Sequence, residues 1–84
     1  MNICRHAHER LCQRLHPMPR EKAAALLERL WQAGYDATPR ELRTFNTIPM
    51  SADRKYRIVT YKHRRWLLVL DVSNDTIVTM WSKQ

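Results

Sequence analysis

One glycine among 84 residues is the feature that most limits what this chain can fold into and do. Gly-rich phosphate loops and dinucleotide fingerprints each need several glycines at fixed offsets. With only Gly34 present, nucleotide-cofactor chemistry is excluded and no cofactor is expected. The length allows a single domain over residues 1–84, burying about 60–65% of the surface its unfolded chain exposes. A barrel or doubly wound sheet does not fit. The longest apolar run, Trp66 to Leu70, is too short to cross a bilayer. Charges begin at Arg5, so no signal peptide is expected, and two cysteines argue against a disulfide scaffold. The expected compartment is the cytoplasm.

Charge is more informative. The formal net charge is +7, from 15 basic and 8 acidic side chains. Residues 43–84 carry eight basic and three acidic side chains, a balance of +5, and residues 1–42 give +2. Eleven of the basic residues are Arg, the side chain suited to bidentate phosphate contacts. A polyanion, most simply a nucleic acid, is the expected partner.

The periodicity predicts an α+β domain, with an N-terminal helical hairpin packed on a C-terminal antiparallel meander of three or four strands. Ile3, Ala7, Leu11 and Leu15 predict a helix over 2–15, capped by Asn2 and ended by Pro17 and Pro19. A second helix is expected over 19–33, with Gly34 at its C-cap. Thr38-Pro39-Arg40-Glu41 fits a capping box opening a short helical turn. Phe45 to Ile48 reads as a short strand and Pro49 to Asp53 as a loop. Strands follow over 55–61, 65–72 and 76–82, separated by turns at Lys62-His63-Arg64 and Ser73-Asn74-Asp75. The second is apolar on both faces and belongs at the sheet centre. In the third, strict alternation puts Ile77, Thr79 and Trp81 on one face, and Val78 and Met80 on the other.

Four constellations could carry chemistry. Cys4, His8, Cys12 and His16 repeat every fourth position and are soft ligand types. Along one helix they spread over about 18 Å at 1.5 Å per residue, too far for one tetrahedral ion, so they read as helix packing and no metal site is expected. His6 and Arg10 share a helix face, where a proton carrier would sit beside a phosphate clamp. Arg54, Lys55, Arg57, Lys62, Arg64 and Arg65 run without an acid and are interleaved with Tyr56, Tyr61 and Trp66. Such a strand pair suits unpaired RNA. Finally, Thr79, Trp81 and Lys83 place a hydroxyl, a stacking ring and an ammonium on the last strand.

Together these pieces resemble a known group. Arg5-His6-Ala7-His8-Glu9-Arg10-Leu11 resembles the opening basic-His-Ala-x-Glu-Arg-apolar helix of small toxin-like domains. Tyr56 to Val59, Trp66 to Asp71 and Thr76 to Trp81 resemble their closing meander, whose last strand reads apolar-apolar-Thr-x-aromatic. The group is the barnase–EndoU–colicin–RelE superfamily of ribonuclease toxins, and the likeness covers roughly half the chain, leaving residues 17–53 unmatched. It implies metal-independent RNA cleavage by 2′-hydroxyl attack, with His6 as the acid–base residue, Arg57 on the phosphate, Thr79 bonded to substrate and Trp81 in place of the usual Tyr. Charge and nearness add Arg10 and Lys83 to the RNA contacts. An acidic antitoxin or immunity protein is the implied partner. The alternative is a non-catalytic basic module, encoded by a phage or mobile element, that docks on RNA or an acidic protein.

Overall fold

The computed structural model describes residues 1–47 and 52–83. It is an α+β domain of three helices and a five-stranded mixed sheet in the order β1-β5-β4-β3-β2. The expected meander is β3 (Arg54–Tyr61), β4 (Arg64–Asp71) and β5 (Thr76–Lys83), paired antiparallel with β4 in the middle. Two short strands extend it. β1 (Asn2–Ile3) pairs parallel with Thr76 and Ile77 of β5, and β2 (Tyr35–Asp36) pairs antiparallel with Ile58 and Arg57 of β3.

β4 needs cover on both faces. Trp66, Leu67, Leu68, Val69 and Leu70 are all buried, and successive strand residues point to opposite sides. Trp66, Leu68 and Leu70 join Val59, Ile77 and Met80 under α1 (Arg5–Arg14) and α2 (Arg20–Ala33). Ala7 and Leu11 of α1, and Ala23, Leu27, Leu30 and Trp31 of α2, complete that core. Leu67 and Val69 join Ile58 and Leu42 on the other face, which is covered by α3 (Pro39–Thr44). Trp66 is fully buried, and its indole N–H donates to the Tyr61 carbonyl at 2.9 Å, so the ring buries no unmet donor.

Several sequence expectations change. The first helix begins at Arg5, and Asn2 and Ile3 pair with β5 instead. Its N-cap is Cys4, whose sulfur accepts from the Ala7 N–H at 3.4 Å, not Asn2. The two helices do not form a simple hairpin. The linker runs back along α1, with the Met18 carbonyl held by His8 Nε2 at 2.9 Å and by the Cys12 thiol at 3.7 Å. α2 therefore starts at the β1 edge, where the Arg20 guanidinium bonds the Ile3 carbonyl, and ends over β3, where the Trp31 carbonyl accepts from Arg57 at 2.8 Å. It crosses the sheet. The capping box is present in both halves: Thr38 Oγ1 accepts from the Glu41 N–H, and Glu41 accepts from the Thr38 N–H. No strand forms over Phe45 to Thr47, since Phe45 closes α3 and Asn46 turns left-handed at φ 54. Ile48, and Pro49 to Ser51 of the expected loop, lie outside the described residues. Among the described residues no helix is long and apolar enough to cross a membrane.

β5 also departs from strict alternation. Leu68 pairs with Met80 and Val69 with Thr79, but Leu70 pairs with Ile77, so Val78 is an extra residue in a bulge. Ile77 and Met80 therefore face the two long helices, while Val78 and Trp81 pack toward α3.

Gly34 matters here for space. A Cβ at this position would stand 2.8 Å from the Ile58 carbonyl oxygen and 3.3 Å from that of Leu30. Its φ of −83 is ordinary, so the constraint is the close seating of the α2 terminus on β3. Gly34→Ala should destabilise the fold by about 1–3 kcal/mol, as overpacking does. A urea midpoint equal to that of the unmodified protein would show that the terminus can move off β3 at no cost.

Candidate functional site

With Ala7 and Leu11 buried, the opposite face of α1 presents His6, Glu9, Arg10 and Gln13 to solvent, and these four line a shallow pocket of ≈ 280 Å³. Arg5 pairs with Glu9 at 3.0 Å. Arg10 Nε donates to His6 Nε2 at 3.4 Å. A guanidinium has no lone pair to offer, so this bond requires Nε2 to be unprotonated.

Arg10 also reaches Trp81, with its guanidinium carbon 4.6 Å from the ring centroid. Arg14 stands 5.7 Å from the same ring and donates to Ser82 Oγ at 3.4 Å. These contacts follow from the sheet edge. Among the described residues β1 pairs only with Thr76 and Ile77, so beyond Ile77 no strand lies between β5 and side chains from α1. Trp81, opposite Leu67 on the α3 face, is reached around that edge. Guanidinium–indole contacts of this kind contribute about 0.5–2 kcal/mol while leaving the cation charged.

On its other flank Trp81 walls an open groove of ≈ 420 Å³, shared with Thr44, Phe45, Asn46, Thr47 and Lys83. Lys83 Nζ donates to the Thr44 carbonyl at 2.8 Å, which ties the end of β5 to the end of α3. His6, Arg10, Trp81 and Lys83 are thus brought into one continuous strip. Sequence reasoning passed over Arg14 and the Phe45–Thr47 segment as site residues. Arg14 was legible as the i+4 neighbour of Arg10, but the segment depends on where α3 ends.

The remaining expected site residues are placed elsewhere. Arg57 faces the helix side: it pairs with Leu68, stacks 5.0 Å from the Trp31 ring and bonds Asp36 at 3.2 Å. Thr79, opposite Val69, lies on the opposite face of the sheet from Arg57. Its hydroxyl oxygen is buried and has no hydrogen-bond partner among the described residues; Arg14 Nε is in the same condition. The basic run on β3 and β4 does not form one patch. Lys55 and Lys62 stand about 23 Å apart at roughly 3.3 Å per strand residue. Arg54 and Lys55 line a separate groove of ≈ 270 Å³ with Asp36 and Tyr56. Lys62 occupies the β3–β4 turn, 5.8 Å from the Tyr61 ring, and Arg64 faces the helix side opposite Tyr61. Arg65 is bonded to Glu41 at 2.9 Å and to the Tyr35 hydroxyl at 3.2 Å. Of the Cys/His row, Cys4 donates to the Val78 carbonyl, His8 and Cys12 hold Met18, and His16 contacts the Pro17 carbonyl. No group of three or more His, Cys, Asp or Glu placed to hold a metal occurs among the described residues.

No protein-family model, curated protein or solved structure matches the chain.

Two measurements check these placements. The Tyr35 hydroxyl, at 2.6 Å, is the largest influence holding the Glu41 carboxyl below its ordinary range, followed by the Thr38 backbone. A depressed carboxylate contributes stability above its unfolded pKa and loses it as pH falls through the folded value. Tyr35→Phe should therefore raise the Glu41 pKa in an NMR titration and make the protein less sensitive to acid. An unmoved titration would mean that the phenol is not the cause. Thr79→Val removes an unmet buried hydroxyl and should leave stability unchanged or raise it by about 1 kcal/mol. A loss of more than that in a denaturant melt would mean that the hydroxyl has a partner.

Proposed function

We propose that the protein acts on RNA along the α1–β5 edge and cleaves it without a metal ion, as the ribonuclease-toxin resemblance implies. The observation that carries this reading is the double contact of Arg10, to the proton-accepting nitrogen of His6 and to the ring of Trp81. A base, a phosphate-binding fork and a stacking surface are what transesterification of RNA requires in one place.

In this reading Trp81 takes a base, and Arg10 turns from the ring to the phosphate. His6 Nε2 removes the 2′-hydroxyl proton as that oxygen attacks phosphorus. The bond from phosphorus to the 5′-oxygen breaks, leaving a 2′,3′-cyclic phosphate, and the 5′-oxygen takes a proton from water. Arg10 stabilises the crowded phosphate, and Arg14 and Lys83 hold its neighbours. Arg57, engaged by Asp36 and Trp31, acts as a structural cation, and Thr79 is not part of this set. An acidic protein covering the same strip is the partner that would hold the activity in check.

The sequestration of Arg57 and Thr79 favours a second reading, in which the strip binds RNA without cutting it. One assay separates the two. A labelled single-stranded RNA is incubated with the protein in excess EDTA, and product ends are analysed. Cleavage to 2′,3′-cyclic phosphates is expected, falling by about 10²–10⁴-fold in His6→Ala and unaffected in rate by Arg57→Lys. Binding that weakens steeply with salt but yields no product supports the second reading. Neither binding nor cleavage would remove both.

A further inference from the structure

We infer that the groove between the end of α3 and the end of β5 is a nucleobase-selective subsite for an unpaired nucleotide, with Asn46 as its specificity-determining residue. This rests on the reading of the α1–β5 edge as an RNA site and names what that site selects. The groove brings together three kinds of group. Trp81 and Phe45, both half-buried, supply aromatic surface. Lys83 supplies an ammonium that spends one N–H on the Thr44 carbonyl and keeps two. Asn46 is exposed, and its side-chain amide makes no hydrogen bond among the described residues.

Asn46 holds a conformation that is costly for most residues. At φ 54 it is left-handed, and its backbone N–H caps α3 by donating to the Arg43 carbonyl at 3.0 Å. Asn tolerates this better than other residues that carry a side chain, and glycine tolerates it best. The turn explains a residue that accepts positive φ. It leaves the donor and acceptor of the amide unused at the rim of an aromatic-walled groove.

A base offers two π-faces and an edge carrying adjacent donors and acceptors, and its phosphate needs a cation. The groove holds the complement of each, within the roughly 300–1,000 Å³ range of small-molecule sites. In a duplex both faces are stacked and the pairing edge is used, so only an unpaired base can enter. Trp81 walls both this groove and the Arg10 side. The selected nucleotide is therefore adjacent to the phosphate that faces His6.

The test needs no catalysis. The protein is titrated with AMP, CMP, GMP, UMP and inorganic phosphate, following the Trp81 indole N–H and Asn46 amide signals by NMR. At least one nucleotide should bind about 5-fold or more tighter than phosphate, and the four should differ by about 5- to 150-fold, the span of a bidentate base contact. Asn46→Gly keeps the turn and should collapse that spread to within about twofold. Asn46→Asp, an acceptor only, should move the preference toward guanine, whose N1–H and N2–H₂ are adjacent donors. A 2′-O-methyl oligo(A) should lose binding when annealed to its complement. Phosphate binding as tightly as every nucleotide, an unchanged spread in Asn46→Gly, or equal binding of the duplex would each overturn the inference. Because none of these ligands can be cleaved, those results stand apart from the cleavage assay. Cleavage without base preference removes this inference alone.

Discussion

The double-sided burial of β4 is the constraint from which the rest of the molecule follows. Five successive residues, Trp66 to Leu70, are withdrawn from water, so a short chain must build a cover on each face of one sheet. The Trp66, Leu68 and Leu70 side receives two helices of 10 and 14 residues. The Leu67 and Val69 side receives one of 6. That smaller helix cannot close its face alone. Phe45, Tyr56, Val78 and Trp81 complete the cover, each only partly buried. An aromatic used as a lid at the rim of a core keeps part of its ring toward solvent, and this is why Trp81 is available to Arg10, to Arg14 and to a ligand.

The distribution of charge sharpens the same edge. Most of the charge surplus is not organised into a patch. Arg57 and Arg65, which look from the sequence like part of a continuous phosphate track, are bound to Asp36 and Glu41. Arg5 is bound to Glu9. Arg10, Arg14 and Lys83 are held instead by a ring, a hydroxyl and a backbone carbonyl. Those groups orient a cation without neutralising it. The carboxylate beside the strip, Glu9, is engaged by Arg5, so an incoming phosphate meets cations that no carboxylate among the described residues neutralises.

What could be read from the sequence was what local physics decides. The apolar period of α2, the Thr38 capping box and the alternation in β3 each reflect a preference acting within a few residues. The features that could not be read depend on partners distant along the chain. Asn2 and Ile3 are a strand only because Thr76 and Ile77 offer an edge, and Tyr35 and Asp36 only because β3 does. Just before α2, His8 and Cys12 grip the Met18 carbonyl, a contact no periodicity encodes. For the site, the pairing of His6 with Arg10 follows from helix spacing alone. Which sheet face Arg57 occupies, and whether Thr79 meets it, does not.

The bulge at Val78 links the core to the site. Under strict alternation Trp81 would share a face with Ile77, which lies beneath the long helices. One extra residue in β5 turns the following segment over, so Ile77 and Met80 keep the helix side while Trp81 goes to the α3 side. The bulged strand still follows α1 along its length, from the Cys4 contact with the Val78 carbonyl to the Arg14 contact with Ser82. Trp81 therefore packs with the groove on one face of the sheet and is reached by the arginines of a helix that packs on the other. A ring in that position can belong to the core and to a ligand site at once. The bulge, unlike the charge count, is what makes this edge different from the rest of a basic surface.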